Sequence, residues 1–231
     1  MGRDASREVK PRLHAYPAYS APFPTKVDTL EQAQANLDYL LANRERRLRV
    51  VTEFLSGAGV DVARGAAAAD VQPLMLELHR WSRREFPGLF DPRIARREIW
   101  WASNRGGAEI VYSLLMDVAL LCGDLVIARR PEYSWSLNLD PEDGKLKAPT
   151  YRRVVVQRPP GGPFPTAIIF DFEATVVGQY METRSPLFSI AACSALDEQV
   201  VMAIRGDYEA YWLERERNGL PPLRTDPPPP E

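Results

Sequence analysis

The chain has 231 residues, of which 45% are hydrophobic and 26% are charged, and its formal net charge is −2. This composition is typical of one globular domain that buries a core without disulfides, and it excludes a general electrostatic attraction to nucleic acid or to membranes. The two cysteines, Cys122 and Cys193, lie among apolar residues and are predicted to be reduced core thiols. No charged segment followed by an apolar one opens the chain, so we expect no signal peptide and a cytoplasmic location.

Residues 1–27 are rich in proline, tyrosine and alanine without a period, and they predict an extended arm that is either free or laid over the body. Thr29 followed by Gln32 predicts a capping box at the start of a long helix. That helix is expected to end near Gly57 and Gly59, because glycine commonly follows the last turn of a helix.

Residues 60–70 are predicted to link this helix to a second one, which has Pro73 in its first turn. Asp91 and Pro92 predict the start of a third, shorter helix. Residues 104–107 then break the chain before the longest apolar stretch of the sequence.

Residues 108–128 are almost all hydrophobic and predict a long central helix. Apart from Gly123, the exceptions share one narrow stripe of that helix and are Glu109, Ser113, Asp117 and Asp124. A helix with so little polar surface is typical of the buried centre of a domain. Asp117, in the middle of the stretch, argues against a membrane span.

Hydrophobic residues recur at every second position over residues 133–139, which predict a half-buried strand around Trp135. Residues 151–157 and 166–172 predict two more strands. The connections are too short for crossover helices, so an antiparallel meander is expected, with a plain hairpin turn at residues 140–147.

Two further helices are predicted over residues 173–184 and 195–217, and the tail 220–231 is too rich in proline to pack. The predicted fold class is α+β, with helical layers around a long central helix packed on a small antiparallel sheet of three or more strands. The predicted organisation is an arm (1–27), a single domain (28–219) and a disordered tail.

A family resemblance is carried by residues 57–78, by residues 120–139 and by the Asp-rich turn that follows. An apolar helix that ends in Gly-Asp, here Gly123 and Asp124, followed by a short link and a strand with a central tryptophan, Trp135, resembles a group of small bacterial α+β domains. Most of them are uncharacterised, and some are thought to act as immunity or accessory proteins in toxin systems. The resemblance implies an α+β fold and a protein partner such as a toxin or a secretion component.

Motifs of common catalytic and cofactor sites are missing from the sequence: HExxH, CxxC, GxxxxGK[ST], GxGxxG and GxSxG. The two histidines are His14, in the predicted arm, and His79, which is predicted to be an ordinary surface residue of a helix. The sequence therefore predicts no catalytic residue, no metal ligand and no cofactor.

Carboxylates form the one constellation that could support chemistry: Asp117, Asp124, Asp171 and Glu173. If the polar stripe of the central helix faces the sheet, these groups could gather into an acidic pocket that binds a divalent cation or performs acid–base catalysis. The alternative is that each carboxylate is neutralised or solvated, with Asp117 paired to an arginine such as Arg152 or Arg153.

Charge is spread unevenly along the chain. Residues 44–105 carry twelve arginines against eight acidic residues, whereas residues 106–144 carry seven acidic residues against two arginines. An acidic surface could bind a basic partner, and an arginine cluster could contact nucleic-acid phosphates; the alternative for both is an ordinary solvated face.

The leading hypothesis is a non-catalytic intracellular binding protein, of the immunity or adaptor kind, that acts through a protein–protein surface. The second is a hydrolase-type enzyme with the carboxylate pocket, and the third is nucleic-acid binding, which the net charge disfavours. No membrane partner is expected, and the oligomeric state is left open. The candidate binding residues are Asp117, Asp124, Trp135, Asp171, Glu173, Arg93, Arg96, Arg97 and Trp100.

Overall fold

A computed structural model of the chain describes residues 6–164, 166–185 and 194–219. One antiparallel sheet has the strand order β1 (Ser134–Leu137), β2 (Val154–Arg158) and β3 (Ile168–Phe170). The helices are α1 (Ser6–His14), α2 (Leu30–Ser56), α3 (Val62–Ala67), α4 (Gln72–Leu89), α5 (Arg97–Ala102), α6 (Val111–Ile127), α7 (Pro141–Leu146), α8 (Phe172–Met181), α9 (Ala195–Arg205) and α10 (Asp207–Arg217). The predicted α+β class and the three-stranded meander are confirmed.

The apolar helix α6 is the centre of the protein. Every residue from Val111 to Gly123 is buried, and α6 contacts α2, α8 and α9. The stretch Gly107–Ile127 is long and apolar enough to cross a membrane, but 89% of its 18-residue apolar window is buried inside the protein. Its apolar side chains therefore find their contacts within the fold, as expected for a core helix.

The sheet packs on α6 through its inner face. Trp135 pairs with Val156, and Val156 pairs with Phe170, so the three side chains lie side by side. A Cβ atom added to Gly123 would lie 2.6 Å from Cη2 of Trp135 and 2.8 Å from Cγ2 of Val156. Glycine at this position therefore lets the helix approach the sheet closely.

Several predicted element boundaries are confirmed. Thr29 and Gln32 form the capping box of α2, and Gly57 is the residue at which that helix ends. Pro73 lies in the first turn of α4. In each case a short-range rule decides the boundary, so the sequence alone was sufficient to place it.

Other predictions for the helices were wrong. The predicted link at residues 60–70 contains the helix α3, and the predicted hairpin turn at residues 140–147 contains α7, which Asp140 caps. The third predicted helix begins at Arg97 rather than at Asp91.

The last predicted helix, residues 195–217, is two helices, α9 and α10. Gly206 lies between them with φ of +81°, a left-handed conformation that ends α9. Glycine adopts this conformation without the steric cost that other residues meet, so it breaks a pattern that otherwise continues at helical spacing.

The N-terminal segment, residues 6–29, lies on the body of the protein. It contains α1 where an extended arm was predicted, and the side chains of Leu13, Tyr16 and Tyr19 are buried. Cys193 and the predicted tail 220–231 lie outside the described residues.

Candidate functional site

Asp117, at the centre of α6, is buried and paired with an arginine from α2. Arg47 contacts it through two nitrogens, with Nε at 2.9 Å from Oδ1, and the Tyr16 hydroxyl donates to Oδ2 at 2.6 Å. Burial opposes the charge of Arg47, but hydrogen bonds to Asp117 and its negative charge outweigh burial and raise the pKa of Arg47. The predicted partners, Arg152 and Arg153, were therefore wrong.

Asp124 lies one turn before the end of α6 and has two partners of its own. Nε of Arg44 donates to both carboxylate oxygens, at 2.8 and 2.7 Å, and Nε1 of Trp135 donates to Oδ1 at 2.9 Å. Trp135 is buried against α6, so this candidate binding residue acts inside the fold. Asp124 therefore links the Arg44 side chain of α2 to the Trp135 side chain of the sheet.

Asp171 and Glu173 lie together at the start of α8, and not on one face of a strand, because β3 ends at Phe170 and Asp171 caps the helix. Arg153 donates to Asp171 from Nε at 2.6 Å and to Glu173 from Nη2 at 3.2 Å. Arg105 donates from Nη2 to Oε1 of Glu173 at 2.8 Å, and Nε1 of Trp100 donates to the same oxygen at 3.1 Å. Two buried arginines thus hold two buried carboxylates.

The four carboxylates do not gather into one acidic pocket, because each contacts an arginine, as in the alternative of individually neutralised groups. Only Asp171 and Glu173 come together; Asp117 and Asp124 are in separate clusters. Among the residues that the structure describes, no three His, Cys, Asp or Glu side chains are placed to hold a metal ion.

The charge of Glu173 is strongly favoured despite its burial. Burial alone would raise its pKa, but Arg105 and Arg153 and the hydrogen bonds from Arg105 and Trp100 lower that pKa to about 2. The pKa of Arg153 is raised, because the negative charges and hydrogen bonds of Asp171 and Glu173 outweigh the effect of its burial. Glu173 and Arg153 therefore stabilise each other in their charged forms.

A small cavity of about 20 Å³ opens beside this cluster and is called the arginine pocket below. It is lined by Tyr19, Ala21, Thr25, Asn36, Arg105, Met116, Arg152, Arg153, Val154 and Glu173. Nε of Arg105 and Nη1 of Arg153 are buried and have no hydrogen-bond acceptor among the described residues. A buried donor without an acceptor destabilises the folded state. We therefore take the arginine pocket as the candidate functional site.

Backbone strain coincides with the arginine pocket. Arg105 has φ of +58° and Arg152 has φ of +64°, in a region that non-glycine residues rarely adopt. Ser113 fixes Arg105 by donating its hydroxyl to the Arg105 carbonyl at 2.6 Å, and the Arg152 N–H donates to the Asn138 carbonyl at 2.8 Å. Strained residues that the surroundings hold in place are common at ligand-binding sites.

The sequence did not mark Arg105, Tyr19 or Thr25 as site residues. Arg105 was interpreted only as part of a chain break before the central helix, and the other two fell in the predicted arm. Tyr19 lies between two cations, with the guanidinium carbon of Arg105 at 5.1 Å and that of Arg47 at 5.5 Å from its ring centroid. These contacts join residues far apart in the chain, so no local sequence pattern predicts them.

The predicted arginine cluster lies on the surface at α5. Arg93, Arg96 and Arg97 are exposed. Arg93 is paired with Asp91 at 2.6 Å, and Arg97 lies over the ring of Trp101 at 5.6 Å. The adjacent Trp100 is buried against Glu173, so it contributes to the arginine pocket and not to an exposed surface.

His79 is buried, so its prediction as a surface residue was wrong. Its Nδ1 lies 3.5 Å from Oδ2 of Asp197, beside a cavity of about 10 Å³. Cys122 is also buried, and burial raises the pKa of its thiol, which disfavours the thiolate. This region is therefore part of the core.

Comparison with known proteins finds no protein-family model, no curated protein and no solved structure that matches this chain.

Proposed function

We propose that the protein is a non-catalytic binding protein that acts through a protein–protein surface around the mouth of the arginine pocket. The observation that carries this proposal is the exposure of three leucines from segments that contact Tyr151 or Arg152: Leu30, Leu139 and Leu146, whose side chains are 46%, 45% and 52% exposed. Large exposed apolar side chains that gather on one face are typical of interaction surfaces.

The three leucines belong to segments that meet at Tyr151 and Arg152. The Arg152 side chain donates to the carbonyl of Asp28, two residues before Leu30, and the Arg152 N–H bonds to Asn138, the residue before Leu139. The helix α7, which ends at Leu146, packs against Tyr151: a Cβ atom on Gly144 would lie 2.9 Å from Cζ of the tyrosine. We call this surface the pocket face.

Charged residues surround the leucines on the pocket face. Lys145 and Glu142 form an exposed ion pair of 2.5 Å, and Asp140 caps α7 beside them. An apolar patch with a charged rim resembles the usual composition of a protein–protein interface. The mixed signs suit a protein partner better than a nucleic acid, which would require a basic surface.

The small size of the cavities also supports binding rather than turnover. A volume of about 20 Å³ holds about one water-sized group, and the second cavity holds less. The finer part of the proposal, an immunity- or adaptor-like role with a toxin or secretion component as partner, rests on the family resemblance given above.

A capture experiment with matched variants tests the proposal. The full chain is immobilised and exposed to extract of its native host, in parallel with the double variant Leu139→Glu/Leu146→Glu. The control, Met202→Glu/Tyr211→Glu, adds the same charge at two exposed residues of α9 and α10. We expect one partner to be retained by the native chain and by the control, and lost from the double variant on the pocket face.

A partner that all three proteins retain equally would move the interface away from the pocket face. Turnover of a substrate by the purified chain, with no protein retained, would contradict the proposal as a whole.

A further inference from the structure

We infer that the arginine pocket binds one carboxylate group, supplied by an aspartate or glutamate side chain of the partner protein. The inference rests on the proposed function for the source of the carboxylate, but the pocket itself can be tested without a partner. The hydrogen-bond donors, the net charge and the volume of the pocket support the inference.

The donors are the two buried nitrogens that have no acceptor among the described residues, Nε of Arg105 and Nη1 of Arg153. Both guanidinium groups bind the same carboxylate, Glu173, through their Nη2 atoms, and both residues line the arginine pocket. A group that satisfies both atoms must accept two hydrogen bonds, and a carboxylate does so with its two oxygens, in charge-assisted bonds to the two arginines.

The charged groups around the pocket favour binding of an anion with a single negative charge. Arg105, Arg152 and Arg153 carry three positive charges, and Glu173 and the adjacent Asp171 carry two negative ones. One positive charge is left over, which a single carboxylate neutralises. A phosphate monoester would bring more charge than the pocket can balance.

The size of the pocket limits how much of the ligand enters. The enclosed volume of about 20 Å³ accepts the end of a side chain rather than a whole metabolite. Arg152 and Asn36 also line the pocket, and both residues are partly exposed. An acidic side chain on a docked partner can therefore place its oxygens inside while its backbone stays on the pocket face.

The first experiment uses acetate as the probe and the full chain alone. The side-chain Nε–H signals of arginine are followed by NMR while sodium acetate replaces sodium methanesulfonate at constant ionic strength. We expect a saturable change at the Arg105 signal. Arg152→Gln should weaken acetate binding about tenfold, because it removes the surplus positive charge that acetate neutralises.

The control variant is Arg96→Gln, which removes an exposed arginine outside the pocket and should leave acetate affinity unchanged. Arg153→Lys is a second test variant, because it keeps the charge beside Asp171 and removes the Nη1 donor. If the native chain responds to acetate no differently from methanesulfonate, or if Arg152→Gln binds acetate as tightly as the native chain, the inference is overturned.

The second experiment separates the source of the carboxylate from the proposed function. With the captured partner, saturating acetate should weaken binding at least about tenfold relative to methanesulfonate. If acetate binds the pocket but partner affinity is unchanged, the inference fails and the proposed function stands. If acetate binds and no partner is retained, the proposed function fails, and the pocket serves a free small carboxylate instead.

Discussion

Three arginine side chains, Arg47, Arg105 and Arg153, are at least 95% buried, and each neutralises a carboxylate inside the protein. A buried guanidinium is stable only where its charge and donors are met, and planar groups of this kind suit bidentate contacts with carboxylates. From the sequence, Asp117 in an apolar helix predicts that some arginine must reach it. The identity of that arginine could not be predicted, because the pair depends on how α2 docks on α6.

Removal of Arg47 tests the cost of leaving Asp117 alone in the core. Arg47→Ala should lower the free energy of unfolding by about 3 to 5 kcal/mol, since an uncompensated buried charge remains. Arg47 also donates to the carbonyls of Pro17 and Ala18, so cleavage of the N-terminal segment by protease should become faster. Urea denaturation measures the first effect and limited proteolysis the second.

The neighbouring Arg46→Ala provides the control, because Arg46 is exposed and should change stability by less than about 0.5 kcal/mol. Equal losses in the two variants would mean that the buried pair does not stabilise the fold.

Glu173 makes the stability of the protein depend on pH in the acid range. Its pKa is lowered from 4.5 to about 2, so the folded state holds the charged form more tightly than the unfolded chain does. The resulting stability, about 3 kcal/mol, is fully present above about pH 4.5 and is lost as the pH falls towards 2.

Glu173→Gln should remove this part of the acid dependence, although the variant is less stable at neutral pH because two buried arginines lose a partner. Denaturation at a series of pH values from neutral to acid measures the slope. The exposed Glu98→Gln should keep the native slope, and a native slope in Glu173→Gln as well would exclude this origin.

At the scale of elements, the contact between α6 and the sheet depends on Gly123, which has no side chain. The sequence identified α6 from its apolar pattern, and it identified β1 from its alternation, so both elements were predicted. It gave no reason for Gly123, since helical glycine is locally unfavourable. The reason lies in Trp135 and Val156, which occupy the space that a Cβ atom would need.

Gly123→Ala should therefore destabilise the protein by about 1 to 3 kcal/mol through overpacking, although alanine favours a helix. Gly178→Ala in α8 is the matched control, because among the described residues no heavy atom outside the adjoining helix backbone lies within 4 Å of its Cβ position. There we expect a gain of up to about 1 kcal/mol from helix propensity. Urea denaturation of the two variants should give changes of opposite sign; a gain in both would contradict the close approach.

For the whole molecule, local rules predicted the fold class and the core helix, and they failed where distant segments meet. The caps at Thr29 and Gly57 depend on neighbouring residues, so they could be predicted. The arginine pocket joins residues from the N-terminal segment, from the loop between α5 and α6, from β2 and from α8, such as Tyr19, Arg105 and Glu173. Such a site depends on packing of elements far apart in the chain, and its residues carry no periodic signal.

The same reasoning makes the N-terminal segment part of the folded body. The Tyr16 hydroxyl donates to Asp117, and its ring packs edge-on against Phe54 with ring centroids 5.2 Å apart. The Tyr19 N–H donates to the Ser113 hydroxyl. The Thr25 hydroxyl accepts from Arg105 at 2.6 Å. Deletion of residues 1–24 should therefore lower the melting temperature strongly or abolish cooperative unfolding, because it exposes a core surface and leaves buried polar groups without partners.

Thermal unfolding followed by circular dichroism measures this effect, and deletion of residues 220–231, which the sequence predicts not to pack, is the control. If the shortened chain does not fold at all, Tyr16→Phe gives a finer measurement. It removes one hydrogen bond to a buried carboxylate and should lower the free energy of unfolding by about 1.5 to 3 kcal/mol. A shortened chain that melts at the native temperature would mean that the segment only lies on the surface and contributes nothing to the core.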